Sequence, residues 1–215
     1  MKELQYVSYI LFDAANTLIH KPLLWEKILT VLNNQNIEIP LHKLQYNHKL
    51  LSEVIDFPDN TSKDFYTFFN TELLISLGII PTDELIEELF LNCSYLPWEK
   101  FDDTDFLKGI TIPVGVLSNF NNKLPVLLHS LFDVKFSDII VSENLKQRKP
   151  SMEFYENAIE MTGCKRENIL YVGDSLKLDI IPAKKSGINA LLIDRIGFYP
   201  KSQFTISSLN ELNKI

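Results

Sequence analysis

The sequence of 215 residues predicts an α/β protein: a doubly wound parallel sheet with an all-helical segment inserted after its first strand. Short apolar runs at residues 7–12, 112–117, 139–141, 168–172 and 190–193 have the length and character of strands buried on both faces. Between the last four of these lie stretches with helical spacing, and strand and helix in alternation is how parallel sheets are wired. Between the first two lies a long block, residues 21–105, in which no strand is convincing. The expected organisation is therefore a core made of residues 1–20 and 106–215, and a helical cap made of residues 21–105.

Each element has a local reason. The first strand ends abruptly in Asp13, and a strand of an open parallel sheet delivers its next residue to the edge where ligands of such sheets bind. In the insert, Pro22 suits a helix start, and Leu24, Ile28, Val31 and Leu32 recur at helical spacing up to the polar stop Asn33, Asn34, Gln35, Asn36. A second helix follows Pro40 and is broken by Phe57, Pro58, Asp59 and Asn60. A third covers residues 63–77, with Gly78 as its left-handed stop, and a fourth runs over residues 83–93 with Thr82 as N-cap. Later helices are expected over residues 124–131, over 152–161 between Ser151 and Gly163, and around Ala183.

Composition excludes several classes. Apolar residues at 46% and charged residues at 23% are those of a globular protein in water. The longest apolar runs fall well short of the roughly 20 residues a membrane helix needs. The amino terminus enters a strand without the charged, apolar and small-residue pattern of a secretion signal, so a cytoplasmic protein is expected. Cys93 and Cys164 lack metal or redox spacing. A net charge of −7 argues against nucleic acid as a partner. Residues 53–105 hold 13 acids against two lysines, so this segment carries −11 and the remainder +4, read as solvated helix faces.

Three strand ends carry polar groups: Asp13, the pair Ser118 and Asn119, and the run Gly173, Asp174, Ser175. In a parallel sheet all three lie on one edge. Lys149, after the third core strand, belongs to the same edge, and Asp179 follows Asp174 by five positions. Carboxylates, a lysine, a serine and exposed amides converging there would suit a divalent cation and a phosphoryl group.

The segments FDAANTL, VLSNF, RKPSMEFY and YVGDSLKLD, in this order at four strand ends, resemble the four motifs of the haloacid dehalogenase (HAD) superfamily, whose core is Rossmann-like. The helical insert has the position and length of that family's C1 cap. The resemblance implies a hydrolase in which Asp13 is the nucleophile and forms an aspartyl intermediate. It implies Mg²⁺ held by Asp13, the backbone carbonyl of Ala15 and Asp174, with Asp179 as ligand or neighbour. It implies Ser118 and the backbone amide of Asn119 on phosphoryl oxygens, with Lys149 between nucleophile and phosphoryl group. The substrate would be a small phosphorylated or otherwise anionic metabolite, with neither nucleic acid nor membrane as partner.

Departures from the pattern sharpen the expectation. Phosphatases of this superfamily usually carry a second Asp two residues after the nucleophile, as general acid and base; here Ala15 stands there, and a methyl group transfers no proton. Asn16 replaces a frequent glycine, which its tolerance of left-handed backbone allows. Pro182 falls where glycine is common and requires the first turn of a helix. A weak or specialised phosphatase is expected. The alternatives are a catalytically attenuated ligand-binding or regulatory relative, and a phosphonatase-like hydrolase of carbon–phosphorus bonds, which would need a reactive lysine among Lys21, Lys27, Lys43, Lys49 and Lys63.

Overall fold

A computed structural model describes residues 6–214; the first five residues and Ile215 of the expected core lie outside the described residues. In chain order the elements are β1 (Tyr9–Phe12), β2 (Ile19–His20), α1 (Leu24–Asn34), α2 (Leu41–Val54), α3 (Lys63–Leu77), α4 (Asp83–Cys93), β3 (Glu99–Lys100), β4 (Val114–Ser118), α5 (Leu124–Leu131), β5 (Asp138–Val141), α6 (Ser142–Leu145), α7 (Met152–Thr162), β6 (Ile169–Gly173), α8 (Ile181–Lys185), β7 (Asn189–Ile193) and β8 (Thr205–Ile206). The chain divides into two compact units, one formed up to His20 and again from Lys100, the other spanning Lys21–Glu99.

The first unit is built on a six-stranded sheet in the order β5-β4-β1-β6-β7-β8, with every adjacent pair parallel. β1 lies centrally, between β4 and β6, and Tyr9, Ile10, Leu11 and Phe12 are all buried. Phe12 stands beside Val116 of β4 and Val172 of β6, and the amide of Asp13 continues the ladder to the Val172 carbonyl at 2.9 Å. The residues that follow these three strands therefore emerge at one edge. Behind the sheet, Phe154, Tyr155, Ala158 and Ile159 of α7 pack against Leu11, Ile169 and Tyr171, which fixes the helix that follows Lys149.

The second unit is helical, and its core is Ile28, Val31 and Leu32 of α1, Leu44 of α2, Leu73, Leu74 and Leu77 of α3, and Leu85, Leu89 and Cys93 of α4. Its helix ends obey their sequence. Ser62 accepts from the Phe65 amide and Thr82 from the Leu85 amide, each at 3.2 Å, while Gly78 closes α3 at φ 82°.

Three stretches fold in ways their periodicity conceals. Residues Asp102–Gly109 form a 3₁₀ segment, and Leu176–Ile180 form one π-helical turn that leads directly into α8. Pro182 sits in the first turn of α8, where a missing amide costs nothing. Lys149 is not on a helix but in the turn between α6 and α7, three residues before α7 begins at Met152.

Candidate functional site

The site lies within the sheet-bearing unit, at the carboxyl ends of β1, β4 and β6. Lys149 is its centre. The ammonium is 2.6 Å from Asp13 Oδ1 and 2.6 Å from Asp179 Oδ1, and all three side chains are buried. Asp13 Oδ1 also accepts from Ser118 Oγ at 3.1 Å. Asp179 is held on both oxygens: Oδ1 accepts from Lys149 and from the Tyr171 hydroxyl at 2.9 Å, and Oδ2 accepts from the Ser175 amide at 2.9 Å.

The local backbone explains why these groups meet. The π-turn after Ser175 is capped by that residue's own hydroxyl, which accepts from the Leu178 amide at 2.9 Å, and it swings Asp179 back over the end of β6. A β-carbon at Gly173 would collide with the Asp179 carboxylate, so this strand end has room for glycine alone. Asn16, at φ 60°, turns the chain away after Asp13. Lys149 is positioned through its main chain: Asn119 Oδ1 accepts from the Lys149 amide at 2.7 Å, and Asn119 Nδ2 donates to the Lys149 carbonyl at 3.0 Å. The Asn119 side chain thus clamps the lysine's backbone.

Of the residues expected from the sequence, Asp13, Ser118, Lys149 and Asp179 share one hydrogen-bonded network. Asp174 stands beside it, and one carboxylate oxygen from each of Asp13, Asp174 and Asp179 lie within 4.8 Å of one another. Ala15 contributes no side-chain group; its backbone forms a bridge to Ile19. Tyr155, Tyr171 and Arg195 were not singled out in the sequence. Tyr155 donates to the Leu178 carbonyl and so fixes the π-turn, and Tyr171 touches Lys149 and Asp179 directly. The Arg195 guanidinium donates to the carbonyls of Asn16 at 3.3 Å and Thr17 at 2.8 Å, holding the loop after Asp13. It also forms two bonds with Asp103, which accepts from Ser208 Oγ and the Leu209 amide at 2.9 Å each. Burial opposes the charge on Asp103, yet Arg195 and the Leu209 amide keep its carboxyl below the usual range.

Electrostatically the site has more negative than positive charge. Desolvation disfavours the Lys149 charge, but Asp13 and Asp179 outweigh it and hold the lysine protonated well above its ordinary range. Desolvation raises Asp13; Lys149 counteracts it, and the neighbouring Asp179 and Asp174 push further the same way, leaving Asp13 near pH 7. Three carboxylates with oxygens this close, only two of them paired with the ammonium, fit a hard divalent cation, which would offset the repulsion that Asp179 and Asp174 add to the desolvation of Asp13.

Comparison with known proteins bears on this arrangement. A family model described as haloacid dehalogenase-like hydrolase matches residues 107–193. Haloacid dehalogenase-like hydrolase domain-containing protein 3 of Danio rerio is 31% identical over 119 residues, which is 53% of this chain and 49% of that one. A glyceraldehyde 3-phosphate phosphatase of Methanocaldococcus jannaschii is 32% identical over 118 residues, 49% of this chain and 50% of that one. The chain spans about half the length of these curated relatives. Among solved structures, YfnB from Bacillus subtilis, described as bound to magnesium and as revealing interdomain movement, superposes with a TM-score of 0.67 at 21% identity, covering 98% of each chain. A HAD phosphatase from Thermococcus onnurineus and a 2-haloacid dehalogenase from Pseudomonas syringae each give 0.57 at 20% identity over 97% of both chains. The likeness to these structures is one of fold, since phosphatases and dehalogenases share it.

Proposed function

We propose that the chain is a haloacid dehalogenase-like hydrolase, Mg²⁺-dependent and acting on a small phosphorylated metabolite through Asp13, with the helical unit as its cap. The observation that supports this most is the cluster of Asp13, Asp174 and Asp179, in which the two buried acids, Asp13 and Asp179, pair with Lys149. Mg²⁺ would be held by Asp13, the Ala15 carbonyl and Asp174, with Asp179 beside it. When bound it would supply charge neutralisation between the carboxylates and an anionic substrate.

The chain's own residues would do the rest. Asp13 Oδ1 is occupied by Ser118 and Lys149, whereas Oδ2 accepts no hydrogen bond among the described residues. An oxygen of Asp13 attacks phosphorus, the bond to the leaving oxygen breaks, and an aspartyl phosphate forms. Ser118 and the Asn119 amide hold equatorial oxygens, and Lys149 faces the charge that gathers on them. Water then attacks the phosphorus, freeing Asp13 and inorganic phosphate. Ala15 gives no proton to the leaving oxygen and takes none from that water, so both steps lack help worth roughly 10² to 10⁴ in rate. Hydrolysis of ordinary alkyl phosphates is accordingly slow.

The test is a panel of phosphorylated metabolites with Mg²⁺, alongside two variants. Asp174→Asn weakens Mg²⁺ binding and removes the rise in melting temperature that Mg²⁺ gives. Ala15→Asp raises hydrolysis of an aryl phosphate by about tenfold or more, and gains more on poor leaving groups than on good ones. Unchanged Mg²⁺ affinity in a folded Asp174→Asn protein would refute the metal site.

One observation favours a second reading, hydrolysis of a carbon–phosphorus bond. In the helical unit Lys21 lies 5.1 Å from the Trp98 ring centre, and desolvation lowers its pKa, the direction that favours the neutral amine a Schiff base needs. Borohydride trapping of an aldehyde substrate on Lys21 would establish it, and absence of an adduct during turnover would exclude it.

A further inference from the structure

The buried side of the site carries a hydroxyl that the proposed chemistry leaves without a task. Tyr171 of β6 has no exposed surface, and its neighbours along the strand, Leu170 and Val172, are plain core residues. Phenylalanine would fill the same space, and a buried hydroxyl costs stability unless it is bonded. This one is bonded three times. It accepts from Lys149 Nζ at 3.2 Å, and its single proton is shared between Asp179 Oδ1 at 2.9 Å and the Leu117 carbonyl at 3.2 Å.

The donor count gives these contacts their meaning. An ammonium has three N–H bonds. In Lys149 two go to Asp13 and Asp179, both at 2.6 Å, and the third meets Tyr171. Leu117 immediately precedes Ser118, so the same hydroxyl ties the lysine to the strand end that presents the serine. The two carboxylates set how far Nζ sits from each acid; a third partner is needed to fix its direction.

We propose that Tyr171 is a positioning residue that acts through Lys149, taking its third N–H and so fixing the ammonium where charge develops in the reaction. This inference rests on the role proposed for Lys149. Without the hydroxyl the ammonium keeps its charge and both acids but can rock between them. A charge that rocks still attracts an anion; it stabilises a transition state less, because that demands alignment.

Steady-state hydrolysis of para-nitrophenyl phosphate with Mg²⁺ should therefore show, for Tyr171→Phe, a fall in kcat of about tenfold or more with KM within about twofold of the parent. In a Lys149→Met background the same change should alter the residual rate by less than about twofold, because the residue it acts through is gone. An equal loss in both backgrounds, or no loss in either, would overturn the proposal. A second measurement needs no turnover: the ¹H–¹⁵N signal of the Lys149 ammonium, identified by its absence from Lys149→Arg, should shift or vanish by solvent exchange in Tyr171→Phe. An unchanged ammonium signal would also overturn the proposal. If the parent hydrolyses nothing, the hydrolase reading fails, while the ammonium spectrum still decides the part played by Tyr171; it decides likewise if the Lys149→Met protein does not fold.

Discussion

In the helical unit His48 lies edge-on between Trp25 and Phe69, its ring centre 5.0 Å from each, while in the sheet-bearing unit Lys149 lies between two carboxylates at 2.6 Å. Both are bases with reduced access to water, Lys149 buried and His48 half-buried. His48 meets aromatic faces; desolvation first, then the charges of Lys49 and Lys21, pull its pKa to about 4, so it is a neutral ring at pH 7. Lys149 meets acids and stays charged. The difference shows what each interior is for. A neutral imidazole is a packing group, whereas a buried ion pair is poor value as a stabilising device, since its desolvation consumes most of the attraction. Charge retained at that cost, at the edge where ligands of such sheets bind, is the feature on which the proposed chemistry rests.

The comparison can be broken in three ways. The largest effect is expected from Lys149→Met, which leaves Asp13 and Asp179 buried without a counter-charge. Urea unfolding at pH 8 without metal should show a loss of about 3–5 kcal/mol. A loss of less than about 1 kcal/mol would mean that the acids simply take up protons and that the lysine is dispensable.

The next effect concerns Asp13 and has the opposite sign from an ordinary paired acid. Its pKa in the folded protein, about 7, lies above the ordinary carboxylate value of 3.8, so the folded state keeps a proton that the unfolded chain has lost. Its effect on stability is therefore neutral below about pH 4 and increasingly unfavourable as pH rises to about 7. Asp13→Asn should raise the metal-free melting temperature at pH 8 relative to the parent and leave it unchanged at pH 4. Equal shifts at both pH values would show that Asp13 ionises without strain.

The smallest effect is that of His48. Its folded pKa lies below the ordinary 6.5, so neutral His48 stabilises fully above that value and the contribution is lost as pH falls towards 4. His48→Leu should remove roughly 1–3 kcal/mol of this acid sensitivity, read from urea unfolding at pH 7 and pH 4.5. Identical slopes in parent and variant would place the acid sensitivity elsewhere.

Legibility in the sequence follows the same division. The helical unit is readable because its apolar positions, caps and stops are local: Thr82 and Gly78 occupy the expected ends of α4 and α3. In the sheet, the polar groups that interrupt apolar runs are visible, and Asp13, Ser118 and Asp174 do follow or end strands at one edge. What hides is polarity inside an apolar run. Tyr171 reads as core because the partner of its hydroxyl is set by tertiary packing, not by spacing. Asn119 was expected to act through its backbone amide, yet its side chain is committed to Lys149, a pairing 30 residues distant. The π-turn at Leu176–Ile180 escapes because a single wide turn leaves no repeat to detect.

The Arg195 bridge also sets an order of assembly. The loop after Asp13 precedes its anchor by 179 residues: its carbonyls at Asn16 and Thr17 wait for Arg195, and the Asp103 that pairs with Arg195 waits in turn for Ser208 and Leu209. A nascent chain that ends before residue 195 has β1, β4 and β6 and every acid of the cluster, yet its loop after Asp13 lacks the guanidinium that anchors it. The loop after Asp13 thus gains this anchor only after β1, β4 and β6 have all been made.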